Sequence, residues 1–152
     1  MNNVGLTADP LADALLAVRL CAIEPGLGGM VLRGGMLGDR VVTALHAAMG
    51  EDAPLKRLPS HIDDDGLFGG LDLGATLAAG RPVARPGLLA ATDGGALIAP
   101  MAERLDDGVA AAIAGALDTG EVAAERDGLR MAAPARFVVI ALDEGVEEEK
   151  PP

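Results

Sequence analysis

Between Gly28 and Gly50 the chain passes from a short apolar stretch through a glycine-rich loop into a helical pattern. Gly28-Gly29-Met30-Val31-Leu32-Arg33 reads as a buried strand bounded by glycines. Gly34-Gly35-Met36-Leu37-Gly38 follows as a loop, and Asp39 to Met49 reads as a helix closed by Gly50. Strand, glycine loop and helix in this order form the architecture of a phosphate-binding loop, whose backbone N–H groups face an anion at the helix start.

The flanking segments continue the alternation. Asp9-Pro10 opens a helix, with Asp9 as cap and Leu11, Leu15, Val18 and Ala22 as its apolar stripe, stopped by Pro25-Gly26. Pro54–Leu58 is a weak strand, and 61–86 is a long irregular region that hides a short helix or hairpin. A short helix over 87–92 precedes a buried strand, Ala96–Ala99, and a helix opening at Asp106-Asp107. Glu121–Arg130 folds back at Asp127-Gly128 as a hairpin, and 136–142 is the last strand. Strands alternating with helices predict a mostly parallel sheet covered on both faces. The core is expected over 1–142, with an acidic, proline-ending tail at 143–152.

A working phosphate loop has Lys and Ser or Thr after its last glycine. Here Asp39 and Arg40 follow Gly38. Two unit charges 4 Å apart interact by about 4 kcal/mol at an effective dielectric of 20, so a carboxylate in place of lysine opposes triphosphate binding. Asp39 has a structural use instead, capping the helix through the N–H of Val41 or Val42. Hydrolysis also needs an acidic pair at the end of a buried strand. After Ala99 stand Pro100 and Met101, which neither hold a metal nor polarise water. Gly34, Gly35, Gly38, Asp39, Arg40, Pro100 and Met101 are therefore the positions of a degenerate nucleotide site, with no catalytic residue among them. Arg33 and Arg40 read as solvated surface arginines, and Glu103 as a surface residue at a helix entry.

Composition excludes other classes. The 152 residues carry 23 acids against 12 bases, a formal charge of −11, which disfavours nucleic acid and anionic membrane surfaces. Phe68 and Phe137 are the only aromatics, too few for base-stacking platforms. The single Cys21 fits a small core residue and a reducing compartment. No segment reaches the ~18 apolar residues of a membrane span, and a cytoplasmic protein is expected. Asp63-Asp64-Asp65 reads as a solvated loop rather than a metal site, His46 as a boundary residue and His61 as loop surface.

Several stretches in order resemble the magnesium chelatase AAA+ subunits: Leu67–Leu73, Gly80–Leu89, Asp93–Leu97, Leu105–Asp107, Ala116–Glu121, Glu125–Gly128 and Pro134–Phe137. The resemblance covers roughly residues 10–145. It implies an AAA+ P-loop-type three-layer sandwich with a mostly parallel sheet, hairpin and loop insertions, and no helical lid in this piece. Departures at Asp39, Arg40, Pro100 and Met101, and Leu142-Asp143-Glu144-Gly145 where a polar sensor is expected, make it similar to the D subunit rather than the ATP-hydrolysing I subunit.

The resemblance implies assembly with the I subunit and a porphyrin-binding H subunit. It implies that the whole complex, an ATP-dependent ligase, uses ATP and Mg2+ to insert Mg2+ into protoporphyrin IX, and that this piece is expected to bind no cofactor and to be inactive alone. It further implies that the chain is the amino-terminal part of a longer subunit whose lid, linker, integrin-like domain and arginine finger follow. Docking candidates are Leu67, Phe68 and Asp72 in one insertion and Glu125, Arg126 and Arg130 in the hairpin. Two alternatives stand beside this reading. One is an unconventional nucleotide hydrolase using Arg33, Arg40 and Glu103; the other is a remnant of an enhancer-binding activator, suggested by Phe68-Gly69-Gly70.

Overall fold

The computed structural model describes residues 9–126 and 128–145. Helix α1 (Pro10–Ile23) starts at Asp9, whose carboxylate accepts from the Leu11 N–H at 3.0 Å. It leads through a 3-10 turn into β1 (Gly29–Arg33), the glycine loop and α2 (Gly38–Met49). Next come β2 (Leu55–Arg57), α3 (Asp64–Phe68), β3 (Gly69–Leu71), α4 (Leu73–Ala79), β4 (Ala84–Pro86) and α5 (Leu88–Ala91). The chain continues with β5 (Ala96–Ala99), a 3-10 turn at Ala102–Arg104, α6 (Asp107–Thr119), β6 (Glu121–Arg126), β7 (Leu129–Pro134) and β8 (Val138–Asp143).

The central sheet has the order β1-β8-β5-β2, and every pairing in it is parallel. Its two faces carry separate cores, because alternate side chains of a strand point to opposite sides. Ala96, Ile98, Val138 and Ile140 pack against α1 and α2. Leu97 and Ala99 face the other way, onto Leu67 of α3, Leu89 of α5 and Ile113 and Ala116 of α6. Three layers result: helices, parallel sheet, helices.

The region 61–86, read from sequence as irregular, is ordered by short elements. Asp63 caps α3 by accepting from the Gly66 N–H at 2.7 Å, and Asp72 caps α4 by accepting from the Ala75 N–H at 2.9 Å. Gly80 ends α4 at φ +63, the left-handed conformation that glycine tolerates best. β3 and β4 pair antiparallel around α4, and β6 and β7 form the expected second hairpin.

Two further expectations are corrected. The buried stripe of α1 is Ala14, Val18 and Cys21, rotated from Leu11, Leu15, Val18 and Ala22, while Leu16, Leu20 and Ile23 stay exposed. Small side chains let α1 lie close on α2. β1 is an edge strand among the described residues, so its Val31 is exposed rather than buried.

Candidate functional site at the glycine loop

β1 ends beside β8, and the ladder extends one step into the loop: the Gly34 N–H donates to the Asp143 carbonyl at 3.0 Å. Gly34 then turns at φ +91, and a Cβ added at Gly34 or Gly35 meets nothing within 4 Å. Gly38 is buried; a Cβ there would lie 3.3 Å from the Leu142 side chain, which would have to give by a few tenths of an ångström.

Together these surfaces enclose a polar cavity of about 200 Å³ at the carboxyl ends of β1 and β8. Gly34, Gly35, Gly38 and Asp39 line it, with Arg57, Leu142, Asp143 and Glu144. Pro100 and Met101 line an adjoining depression of about 370 Å³ that shares Arg57 and Glu144. Most of the proposed nucleotide-site positions therefore converge at one end of the sheet. Arg40 is exposed and is not among the residues lining either cavity.

The electrostatics of the small cavity are acidic. Asp39, Asp143 and Glu144 face Arg57, and Arg33 pairs with Asp143 at 3.3 Å from a largely exposed position. Asp39 does not cap α2, contrary to the expectation. The cap position is Leu37, which has no side-chain hydrogen bond to the helix, and the helix begins at Gly38. Asp39 thus lies inside the first turn, where its charge meets the helix dipole but its oxygens receive no capping N–H.

Glu103 is likewise not a surface residue. Its side chain is 10% exposed, its Oε2 accepts from the Glu144 N–H at 3.2 Å, and its Oε1 lies 3.8 Å from the Arg104 Nε. It clamps the segment after β5 to the segment after β8. Met101 beside it has φ +48, a left-handed conformation unfavourable to a non-glycine residue. Arg57 and Glu103 are the site residues that sequence reasoning missed or misplaced. The one available signal was that each stands at or just after the end of a strand.

The docking candidates fall in different settings. Leu67 is 2% exposed in the core, so its side chain is committed within this chain. Phe68 is half-buried against the same core, and Asp72 is occupied as a helix cap. Glu125 and Arg130 are exposed and directly opposite in the β6–β7 register. Of Arg126 only the backbone, in β6, is described. His46 is half-buried with Nε2 3.3 Å from the Ala53 carbonyl, and His61 is exposed. Burial raises the Cys21 thiol above its ordinary pKa. Among the described residues no group of His, Cys, Asp and Glu is placed to hold a metal ion, and no helix is long and apolar enough to cross a membrane.

A parallel three-layer α/β fold with a strand–glycine loop–helix unit at its sheet end is the P-loop architecture of AAA+ proteins. No protein-family model matches the chain. The chain is 42% identical to the magnesium-chelatase 60 kDa subunit of Cereibacter sphaeroides over 137 residues, which cover 88% of the chain and 21% of that subunit. It is 30% identical to the magnesium-chelatase 38 kDa subunit of the same organism, over 90% of the chain and 51% of that subunit. Among solved structures, a chain from a cryo-EM-based complex between subunits BchI and BchD of magnesium chelatase superposes with a TM-score of 0.72 and 26% identity. That match covers 91% of this chain and 54% of the other. Over most of its length the chain is homologous to magnesium-chelatase subunits of 60 and 67 kDa, the D type. It spans about a fifth of the length of the 60 kDa relative, 21%.

Proposed function

We propose that the chain is a non-hydrolysing AAA+ module of a magnesium chelatase D subunit, acting in the cytoplasm by assembling with the ATPase I subunit. In that complex, with a porphyrin-binding H subunit, ATP drives insertion of Mg2+ into protoporphyrin IX. The observation that carries this reading is the small cavity at the glycine loop. Its backbone has the form of a phosphate site, yet its charged lining is three carboxylates against Arg57. With Pro100 and Met101 at the end of β5, no side chain there carries a metal or activates water. The module then contributes surface rather than chemistry, and ATP and Mg2+ are handled by its partner.

Homology to D-type subunits, and a structural neighbour taken from a BchI–BchD complex, support the partner. The alternative hydrolase is not favoured by the geometry. Arg33 pairs with Asp143, Glu103 is tied to the Glu144 backbone, and Arg40 is outside the cavity lining. The deciding experiment is a nucleotide titration with and without I subunit. The expected result is no saturable binding to the chain alone and co-migration of the two proteins when ATP is present. Micromolar ATP affinity of the chain alone overturns the degenerate site; failure to co-migrate overturns docking through this module.

A further inference from the structure

The turn that follows β5 holds two unfavourable features side by side. Met101 has φ +48 and ψ +48, left-handed backbone that a side chain disfavours, and it is the one non-glycine residue with positive φ among those described. The Glu103 side chain is 10% exposed, and a carboxylate so far out of water needs partners. Its partners are the Glu144 N–H at 3.2 Å and Arg104 Nε at 3.8 Å. Strained backbone persists where the surrounding structure dictates it, and it gathers where a particular geometry is used. Here both features serve one contact. Met101 starts the 3-10 turn Ala102–Arg104, closed by the Arg104 N–H donating to the Met101 carbonyl at 2.9 Å. That turn carries Glu103 across to the chain leaving β8.

The residue before Glu144 supports the glycine loop. Asp143 ends β8 in register with Arg33 at the end of β1. Its carbonyl accepts from the Gly34 N–H at 3.0 Å, its Oδ2 lies 3.3 Å from Arg33 Nε, and its Oδ1 accepts from the Gly145 N–H at 3.1 Å. The Arg33 side chain is largely exposed, so its ion pair contributes little. The rung to Gly34 matters more, because it sets the point where the chain leaves the sheet at φ +91 and the loop begins. End rungs of a ladder fray unless they are held. Glu103 holds the far side of this one through the adjoining peptide.

We propose that Glu103 is a positioning residue for the glycine loop. By accepting from the Glu144 N–H it keeps Asp143 against the end of β1, and the Asp143 carbonyl in turn fixes Gly34 and the entry to the loop. The turn after β5 and the glycine loop are therefore coupled through residues 143 and 144, and a change at either is felt at the other. Pro100, Met101 and Glu144 line the depression of about 370 Å³ beside the loop, so contact there reaches the loop without touching it. The coupling does not depend on whether the loop takes a nucleotide, so it stands or falls separately from the function proposed above.

Amide hydrogen exchange of the whole chain, read residue by residue by NMR, tests this. Glu103→Ala is expected to speed exchange about tenfold at Glu144 and also at Gly34, while Leu97 in β5 and Leu45 in α2 keep wild-type rates. Glu103→Gln, whose amide oxygen still accepts, restores most of the protection. Met101→Val, β-branched and ill-suited to left-handed backbone, reproduces the Glu103→Ala pattern and gives the same readout should Glu103→Ala not fold. Met101→Gly, free to adopt φ +48, does not reproduce it. Faster exchange at Glu144 with Gly34 unchanged overturns the proposal, because the effect then stops at the contact. So does no change at either amide, a rise shared by the whole chain, which marks lost stability alone, or Met101→Gly behaving like Met101→Val.

Discussion

At the start of α6, Asp106 Oδ1 accepts from the N–H groups of Gly108 at 2.8 Å and Val109 at 3.3 Å, whereas at the start of α2 Leu37 offers no side-chain acceptor at all. Asp9, Asp63 and Asp72 cap α1, α3 and α4 in the manner of Asp106. A helix leaves its first four N–H groups without partners, and a capping carboxylate satisfies one or two. The long helix without this arrangement is the one that follows the glycine loop. Its start keeps the open form of an anion site, while Asp39 one residue on carries the charge an anion avoids. On the function proposed above, geometry and charge part company at this site: the backbone has the strand–glycine loop–helix form, and a carboxylate stands in the first turn of the helix.

Reversing the charge gives the largest expected effect. Asp39→Lys with Arg40→Thr restores the side chains that a phosphate loop uses. Two charges at 4 Å interact by about 1 kcal/mol in water and about 4 kcal/mol at a dielectric of 20. Because Asp39 is exposed, the change of sign is worth about 2 kcal/mol, or about thirtyfold in nucleotide affinity. A fluorescent-nucleotide titration of both proteins checks this. No gain in affinity means that the loop is not held open, and the contrast between the two helix starts loses its meaning.

Removing a cap that is made comes next. Asp106→Ala leaves the Gly108 and Val109 N–H groups without their acceptor and is expected to destabilise the protein by about 1–2 kcal/mol in urea unfolding. A loss below a few tenths would show that water serves these N–H groups as well as the carboxylate does.

Much of this arrangement was legible in the residues. The glycine loop, the β5 strand and the pairing of β6 with β7 announce themselves through clustered glycines, a short apolar run and two alternating segments; Asp127 of the Asp-Gly turn lies outside the described residues. The order of the sheet was not legible, since nothing local tells β1 that β8 is its neighbour. Nor was the insertion: β3, α4 and β4 are too short for a periodic signal, and Asp63 and Asp72 look like loop acids until the N–H groups they accept from are placed. The face of α1 was misjudged because leucines outrank Ala14 and Cys21 in any hydrophobic count, while close helix packing selects the smaller side chains. At the site, Asp39 at the helix start suggested a cap; the helix begins one residue earlier, which moves its oxygens out of reach.

The body of α2 contrasts with its open start, because Val41 and Leu45 are sealed against α1 beside Cys21. Burial raises the Cys21 pKa, so the folded state holds its proton at a pH where the unfolded chain has begun to lose it. The contribution of this thiol to stability is therefore flat below about pH 8.5 and falls as the pH rises above it, until the folded thiol also ionises. Urea unfolding at several alkaline pH values checks this, and Cys21→Ala removes that part of the slope. A wild-type slope matching the variant's would mean that the α1–α2 contact admits water.

The smallest expected effect discriminates most directly between the two helix starts. Asp39→Asn removes the charge but keeps the shape. With no capping hydrogen bond to lose, what disappears is the attraction between the carboxylate and the helix dipole, about 0.3–1 kcal/mol at low salt, together with its opposed interactions with Arg57 and with Asp143 and Glu144, and all of these shrink as salt is added. The cap lost at Asp106 keeps most of its cost in salt, because its larger part is two short-range hydrogen bonds and only the rest is attraction to the helix dipole. Unfolding both variants at low and high salt separates the two behaviours. If Asp39→Asn costs as much as Asp106→Ala and keeps that cost in high salt, Asp39 caps α2 in solution, and the start of that helix is closed by the chain's own carboxylate.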